Sequence, residues 1–319
     1  MINIGIIGTG DVADRWLAPA VNLLPEAKLW SVLSREENRG KKFANRHKAS
    51  SSNPVLTDLG QFLSDPDLHA VIIATPDNLH AAQAISAANN KKHLFVEKPM
   101  ATNVADANEI VEICKGNEVK LAVGYHHRFH SGHALLRERI NQNILGEILH
   151  ARFHWTYDYS AEQDSWRAKG NKGRWWSLAA LGTHCIDLAN WLLGSSCGEI
   201  STIPHAVTKD NSAGRDESAI VTWQYGSGAT VEIFSSVLFK SKRIIEIYGT
   251  KGNAICEWTL GPRGGGTIVI NGGAIVFTEK NPYKEELADF VDSIITGRNP
   301  AVDGLTGLRN VQILEGLKN

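Results

Sequence analysis

The chain has 319 residues, a formal net charge of -1, 43% hydrophobic residues and 21% charged residues. That length accommodates two domains at about 150 residues each, and the balance is that of an ordinary globular protein. No basic run reaches the length of a nucleic-acid patch, and no apolar run approaches the roughly 18 residues of a membrane span, so neither nucleic acid nor membrane is an expected partner.

The sequence begins "MINIGIIGTG", which enters a strand pattern with no basic stretch or apolar leader ahead of it. The cysteines Cys114, Cys185, Cys197 and Cys256 form no CxxC pair. Free thiols in a reducing cytoplasm are therefore expected.

"NIGIIGTGDVADRWLAPAV" is a short apolar run, a glycine-rich turn and a helical pattern. Gly8 and Gly10 supply a tight turn, and Ala13 holds the third position of GxGxxG/A. Such a turn, Gly8 to Val12 with Thr9 and Asp11 between, presents amides at a helix N-terminus to a pyrophosphate. Apolar runs recur at 28–33, 70–75, 93–97 and 120–124, separated by helical patterns at 36–46, 78–89 and 104–117. This alternation predicts an α/β domain with a doubly wound parallel sheet over 1–124. Ligands of such sheets bind beyond the carboxyl ends of the strands. Gly8–Gly10, Ser34–Arg35, Thr75–Pro76 and Glu97–Lys98 all fall there.

At the end of the second strand a carboxylate would take the ribose 2′-OH of NAD, whereas Arg35 suits the 2′-phosphate of NADP and Ser34 adds a hydroxyl. NADP(H) is favoured over NAD(H); the opposing reading gives the ribose to Glu36 or Glu37. In "FVEKPM" (95–100), Lys98 stands between an apolar strand and a proline, where its ammonium can polarise a substrate oxygen, relay its proton or bond a cofactor ribose, with Glu97 orienting it.

After residue 124 the pattern changes. Strands are expected at 147–159, 219–225, 229–237, 243–249, 266–270 and 274–278, with turns at "GSG", "GTKG" and "NGG" and no alternating helices, hence an antiparallel sheet in a second domain over 125–319. Residues 283–295 form an amphipathic helix with Leu287, Phe290, Val291 and Ile294 on one face. The stretch "RWWSLAALGTHCIDL" (174–188) opens another helix carrying His184 and, one turn on, Asp187. "YHHRFH" (125–130) has the look of a metal cluster, but neither HExxH nor zinc spacing occurs, and no metal is expected.

"GIIGTGDVADRWLAPA", "ATPDNLHAAQAI", "KKHLFVEKPMATN", "VGYHHRF", "LGTHCIDLANWLLG", "YGTKGNAICEW" and the closing "EELADFVDSIITGRNPAVDGLTGLRNVQILEGL" together resemble the Gfo/Idh/MocA family, the glucose–fructose oxidoreductase, inositol dehydrogenase and MocA-like proteins. The resemblance implies an N-terminal Rossmann domain and a C-terminal α+β domain with a large, mostly antiparallel sheet. It also implies NAD(P)-dependent oxidation or reduction of sugars, polyols or related carbonyls, and a homodimer or homotetramer formed through that sheet. Family members usually continue a final helix where this sequence reads "EGLKN".

By the same resemblance, Lys98 lies beside the nicotinamide and His184 is the acid/base on the reacting hydroxyl or carbonyl. Tyr125, His126 and Arg128 approach the nicotinamide, Asn78 and His80 line the cofactor, and Trp166 and Arg167 lie on the substrate side. The DxGxHxxD signature is matched at Gly182, His184 and Asp187, but its first carboxylate position is Ala180. Asp187 can fix the tautomer of His184 or accept from substrate. Trp175 and Trp176 stand where the family carries glycines, and offer either a flat stacking face or core packing. The leading expectation is an oxidoreductase using Lys98 and His184. The alternatives are a catalytically quiet sensor of NAD(P) or a sugar, and an NAD-assisted glycosidase or lyase.

Overall fold

The computed structural model describes residues 1–159, 175–194, 197–205 and 215–317. They fall into two compact units: residues 1–125 with 283–311, and residues 126–282 with 312–319. The sequence predicts a single boundary at 124. Residues 283–311 join the first unit instead, because the apolar face of their helix packs into its core.

In the first unit, β1 (Ile2–Ile7) lies between β2 (Ala27–Leu33) and β4 (Ala70–Ile73). The sheet runs β3-β2-β1-β4-β5-β6, with β3 at Val55–Leu56, β5 at His93–Glu97 and β6 at Leu121–Gly124. Every pairing is parallel, and this order is that of the dinucleotide-binding doubly wound fold. The helix after the glycine turn is π-helical over Ala13–Leu17 and continues as α1 (Ala18–Val21). Then come α2 (Glu37–His47), α3 (Leu59–Leu63), α4 (His80–Asn89) and α5 (Val104–Gly116). Ile4, Ile6, Leu29, Val32, Ile72 and Phe95 form a dry core.

In the second unit, α6 (Ser131–Asn141) precedes β7 (Ile148–Thr156). The His184 helix is π-helical over Leu178–Gly182 and becomes α7 over Thr183–Leu193. Next along the chain lie β8 (Cys197–His205), β9 (Ser218–Tyr225), β10 (Thr230–Ser236), β11 (Ile244–Gly249), β12 (Gly252–Glu257), β13 (Thr267–Ile270) and β14 (Gly273–Ala274). The eight-stranded sheet runs β14-β13-β12-β11-β7-β10-β9-β8. Only β7 and β10 pair in parallel among its described strands. The strand expected over 274–278 shrinks to β14: after Ile275 donates its N–H to the Ile268 carbonyl, at 2.8 Å, the chain leaves the ladder.

One face of this sheet buries Ala151, Phe153, Val221, Val231, Ile233, Ile245 and Ile247 with α7 in the unit's core. On the other face the register lines up Ile203, Ile220, Phe234, His154 and Ile244 across β8, β9, β10, β7 and β11. Ile203 is two-thirds exposed and the other four are partly exposed. In the adjacent row Arg152 lies between Glu232 and Glu246, at 3.6 and 3.3 Å.

α8 (Pro282–Thr296) and α9 (Gly304–Gly316) close the chain. From α8, Tyr283 stacks on Trp16 with ring centres 5.5 Å apart, and Phe290 lies 5.9 Å from Phe95.

Candidate active site

In the first unit the site residues gather at the carboxyl ends of the strands. Gly8 has φ +100°, and its N–H donates to the Leu33 carbonyl at 3.0 Å. A Cβ there would stand 2.7 Å from the Ala74 carbonyl oxygen, so the turn requires glycine. Gly10 is the opposite case, with nothing within 4 Å of where its Cβ would be. Thr9 is half-buried, and Asp11 and Val12 are exposed. Asp11 pairs with Arg15 one turn on, at 2.7 Å. The helix makes its bond from Asp14 N–H to the Gly10 carbonyl at 2.9 Å, and the amides ahead of that turn point out of the helix end. Such an open, amide-lined, electropositive helix start fits the pyrophosphate of a dinucleotide.

The neighbouring strand ends carry the other expected residues. Ser34 is buried and its hydroxyl donates to the Glu36 carbonyl at 3.0 Å, while Arg35 is exposed. Thr75 donates its hydroxyl to Gln83 Oε1 at 2.6 Å; Pro76 is half-buried and Asn78 exposed. His80, 1% exposed, has one ring nitrogen 2.9 Å from the Thr75 carbonyl and the other 2.9 Å from the Pro99 carbonyl. Glu97 is buried, its Oε2 accepts the Lys98 backbone N–H at 3.1 Å, and the Lys98 side chain is half-buried. The Lys98–Pro99 peptide is cis. Gly124 leaves room for this carboxylate, since a Cβ there would lie 3.1 Å from Glu97 Oε1.

Glu286 was not anticipated. It lies on the buried face of α8, one turn before Phe290, just as Glu97 lies two residues beyond Phe95 on the same face of β5. The Phe95–Phe290 contact therefore brings the two carboxyls near each other. Neither Glu286 oxygen has a hydrogen-bond partner among the described residues. Burial, and then the charge of Glu97, holds its carboxyl well above the usual carboxylate range. A glutamate inside an apolar helix stripe was the available sequence signal.

In the second unit, His184 is 4% exposed and lies in a nest of aromatic rings. His126 and His127 meet it edge-on at 4.9 and 5.2 Å, and Trp155 lies at 5.4 Å. The backbone fixes the neighbouring tautomers. His126 Nε2 donates to the Gly261 carbonyl at 3.1 Å, and His127 Nε2 accepts the Gly261 N–H at 3.4 Å. His133 Nδ1 donates to the His127 carbonyl, and His130 Nδ1 accepts the N–H groups of Gly132 and His133. Burial and the adjacent rings push His127 and His133 well below the ordinary histidine range. His127 and His133 are thus neutral and held by backbone, and no group able to hold a metal occurs among the described residues.

Two carboxylates organise the His184 helix. Arg128 grips Asp187 with two parallel bonds, Nε to Oδ2 at 2.8 Å and Nη2 to Oδ1 at 2.6 Å. Both residues thereby serve as a buried fork in this unit. Asp216, unanticipated, accepts the N–H groups of Trp176 and Leu178 at 2.6 and 2.8 Å and the Ser177 hydroxyl, capping the π-helical start. Its burial raises the carboxyl to about 6 against those bonds. Trp175 and Trp176 belong to the apolar core, and the Trp175 indole N–H donates to the Leu314 carbonyl at 2.9 Å. Ala180 is buried in the same cluster. Tyr125 is fully buried at the end of the first unit's sheet. Trp166 and Arg167 lie outside the described residues.

Residues 2–125 match the oxidoreductase family with an NAD-binding Rossmann fold, and residues 133–255 match the Gfo/Idh/MocA C-terminal domain. The chain belongs to the Gfo/Idh/MocA oxidoreductase family. It is similar to 1,5-anhydro-D-fructose reductase of Ensifer adhaerens, 24% identical over 95% of this chain and 91% of that relative. It is also similar to myo-inositol 2-dehydrogenase of Thermotoga maritima, 25% identical over 96% of this chain and 92% of the relative. Among solved structures, aldose-aldose oxidoreductase from Caulobacter crescentus complexed with glycerol superposes with a TM-score of 0.91 at 22% identity, covering 98% of this chain and 95% of that one.

Proposed function

We propose that this Gfo/Idh/MocA oxidoreductase prefers NADP(H) over NAD(H) and acts on a CH–OH group, or the corresponding carbonyl, of a sugar, polyol or similar small molecule. The observation that carries the reading is the first sheet's carboxyl edge: an open amide-lined turn at Gly8–Gly10, an exposed Arg35 at the ribose position, and Lys98 following a buried Glu97. The activities printed for the relatives, on an anhydro sugar and an inositol, support the substrate class.

Gly8, Thr9, Gly10, Asp11 and Val12 would hold the pyrophosphate, Ser34 and Arg35 the adenosine ribose and its phosphate, and Thr75, Pro76 and Asn78 the intervening edge, with His80 behind it. Bound NADP(H) supplies or accepts the hydride, which leaves the chain to orient the carbonyl carbon and handle one proton. Lys98 polarises the substrate oxygen, and His184 gives or takes the proton at that oxygen, a task matched to an imidazole. His126, Arg128, Asp187, Trp166, Arg167 and Trp175 complete the candidate set around cofactor and substrate. With Ala180 in place of a carboxylate, chemistry falls to Lys98 and His184.

A panel of sugars and polyols, assayed with NADPH and NADH by the absorbance of the reduced nicotinamide, tests the reading. Turnover faster with NADPH is expected. Tight cofactor binding with no turnover on any member would favour the quiet sensor, and product formation with no net change in cofactor would favour the glycosidase or lyase alternative.

The partly exposed row of Ile203, Ile220, Phe234, His154 and Ile244 supports self-association through the second sheet. Sedimentation should show a dimer or tetramer, and Phe234→Glu should shift it to monomer. The buried thiols Cys114, Cys185 and Cys256 suit a reducing cytoplasm.

A further inference from the structure

His80 is the first residue of α4, almost wholly buried, and its ring is held from both sides. One nitrogen lies 2.9 Å from the Thr75 carbonyl and the other 2.9 Å from the Pro99 carbonyl. Carbonyl oxygens only accept. A neutral imidazole has one N–H and one lone pair, so in either neutral tautomer a lone pair would point at a carbonyl oxygen at hydrogen-bond distance. The imidazolium, with two N–H donors, is the form that satisfies both contacts, and each bond is then charge-assisted. The two carbonyls belong to different loops: Thr75 follows β4, and Pro99 follows Lys98 at the end of β5.

We propose that His80 is a positioning residue that acts as a doubly protonated staple between the Thr75 loop and the Lys98–Pro99 loop. The inference rests on the reading of those two loops as the cofactor edge. His80 then acts on the cofactor through the loops rather than by direct contact, because both of its nitrogens are committed to backbone.

The charges around it are compatible with a buried cation. Asp77, buried in the turn just ahead of α4, places a carboxylate three residues away. β4 carries no ionisable residue, and α4 carries none besides His80 itself. β5 brings Glu97 and, just beyond it, Lys98, with His93 at its far end; α5 carries Asp106, Glu109, Glu112 and Lys115. A histidine held protonated in the fold adds stability at pH values below its unfolded range near 6.5. That contribution is lost as pH rises through the folded value, where the second proton leaves and one loop is released.

Two measurements on the full chain test this. The first is nitrogen–proton correlation NMR of the histidine rings, with the His80 signals assigned by their disappearance in His80→Phe. A doubly protonated His80 ring at neutral pH is expected, and a single neutral tautomer there would overturn the staple. The second is NADPH affinity against pH, read by nicotinamide fluorescence. The wild type should lose at least about tenfold in affinity over the range in which the NMR shows His80 losing its second proton, and His80→Phe should be weak and flat over that range. A variant that keeps the wild-type pH profile would overturn the positioning role, whatever its stability. Should His80→Phe fail to fold, signals can be assigned through His80→Asn, and the wild-type titration and affinity curves are then compared directly; affinity unchanged across the NMR titration would overturn the proposal. If the wild type binds no NADPH at any pH, the cofactor reading fails, while the NMR still decides the charge of His80.

Discussion

The helix after Gly10 and the helix carrying His184 each start with a five-residue π-helical stretch, Ala13–Leu17 and Leu178–Gly182, and the two lie in opposite surroundings. Ahead of the first stand an open Gly10 and the exposed Asp11 and Val12. Along the second every residue from Leu178 to Asn190 is buried, His184 and Asp187 included. In the proposed function the working groups at the first are backbone amides, which need only glycine, the right φ and a strand end. At the second they are side chains, and each is aimed by a partner far along the chain: Asp187 by Arg128, the helix start by Asp216, and the rings of His126 and His127 by Gly261. A backbone site tolerates change in neighbouring side chains, whereas a side-chain site is only as precise as the packing behind it.

The largest expected effect falls on the side-chain site. His184→Ala should lower kcat by about 10²–10⁴-fold, the usual worth of general acid–base catalysis, with cofactor Kd unchanged. Steady-state kinetics beside a cofactor titration checks both, and a kcat within a few-fold of wild type would reduce His184 to a packing residue. Next is Asp216→Ala, which strands buried N–H donors of Trp176 and Leu178. At roughly 1–3 kcal/mol per unsatisfied group, the loss should be about 2–6 kcal/mol in chemical denaturation. If the surviving folded enzyme keeps its kcat, Asp216 supports the fold without aiming His184, and the contrast between the two sites weakens.

On the backbone site a single side chain is expected to matter strongly for the choice of cofactor. Arg35→Ala should weaken NADPH binding by about 10–100-fold, as loss of hydrogen bonds to a charged group implies, and leave NADH nearly unaffected. Equal losses for both would remove the case for NADP(H).

The same division explains what was legible in the sequence. The parallel sheet, its strand ends and the glycine turn are written in local patterns, so Gly8, Gly10, Arg35 and Lys98 were found at the edge where they stand. The histidine nest was not, because adjacency in "YHHRFH" says nothing of Gly261, more than a hundred residues on, which fixes the tautomers of His126 and His127. Asp216 likewise sits 38 residues from the Leu178 amide it caps. Trp175 and Trp176 carried two readings in the sequence; their place in the apolar core, with the Trp175 N–H bound to Leu314, supplies the packing one and leaves the substrate role of Trp175 to the proposed site. The parallel β7–β10 pairing was illegible for the same reason, since the intervening chain determines it and neither strand's own pattern does.

Glu286 offers the smallest effect and the finest test of the backbone site, because it lies beneath that site without touching a cofactor-side group by hydrogen bond. Its carboxyl is held above the usual range in the fold, while in the unfolded chain it ionises near 4.5. As pH rises above that unfolded value the unfolded chain gives up its proton first, so stability falls with pH until the folded carboxyl also ionises. Glu286→Gln has nearly the shape of the protonated acid and no proton to lose. The variant should therefore match the wild type near pH 4.5 and gain on it progressively toward pH 8, by on the order of 1 kcal/mol, since each unit of displacement is worth about 1.4 kcal/mol. Urea midpoints of the two proteins, compared across that range, measure it directly. Parallel curves would mean that Glu286 ionises normally in the fold and that its surroundings have more solvent access than its burial indicates. Diverging curves would show that Glu286 stays protonated in the fold beside Glu97.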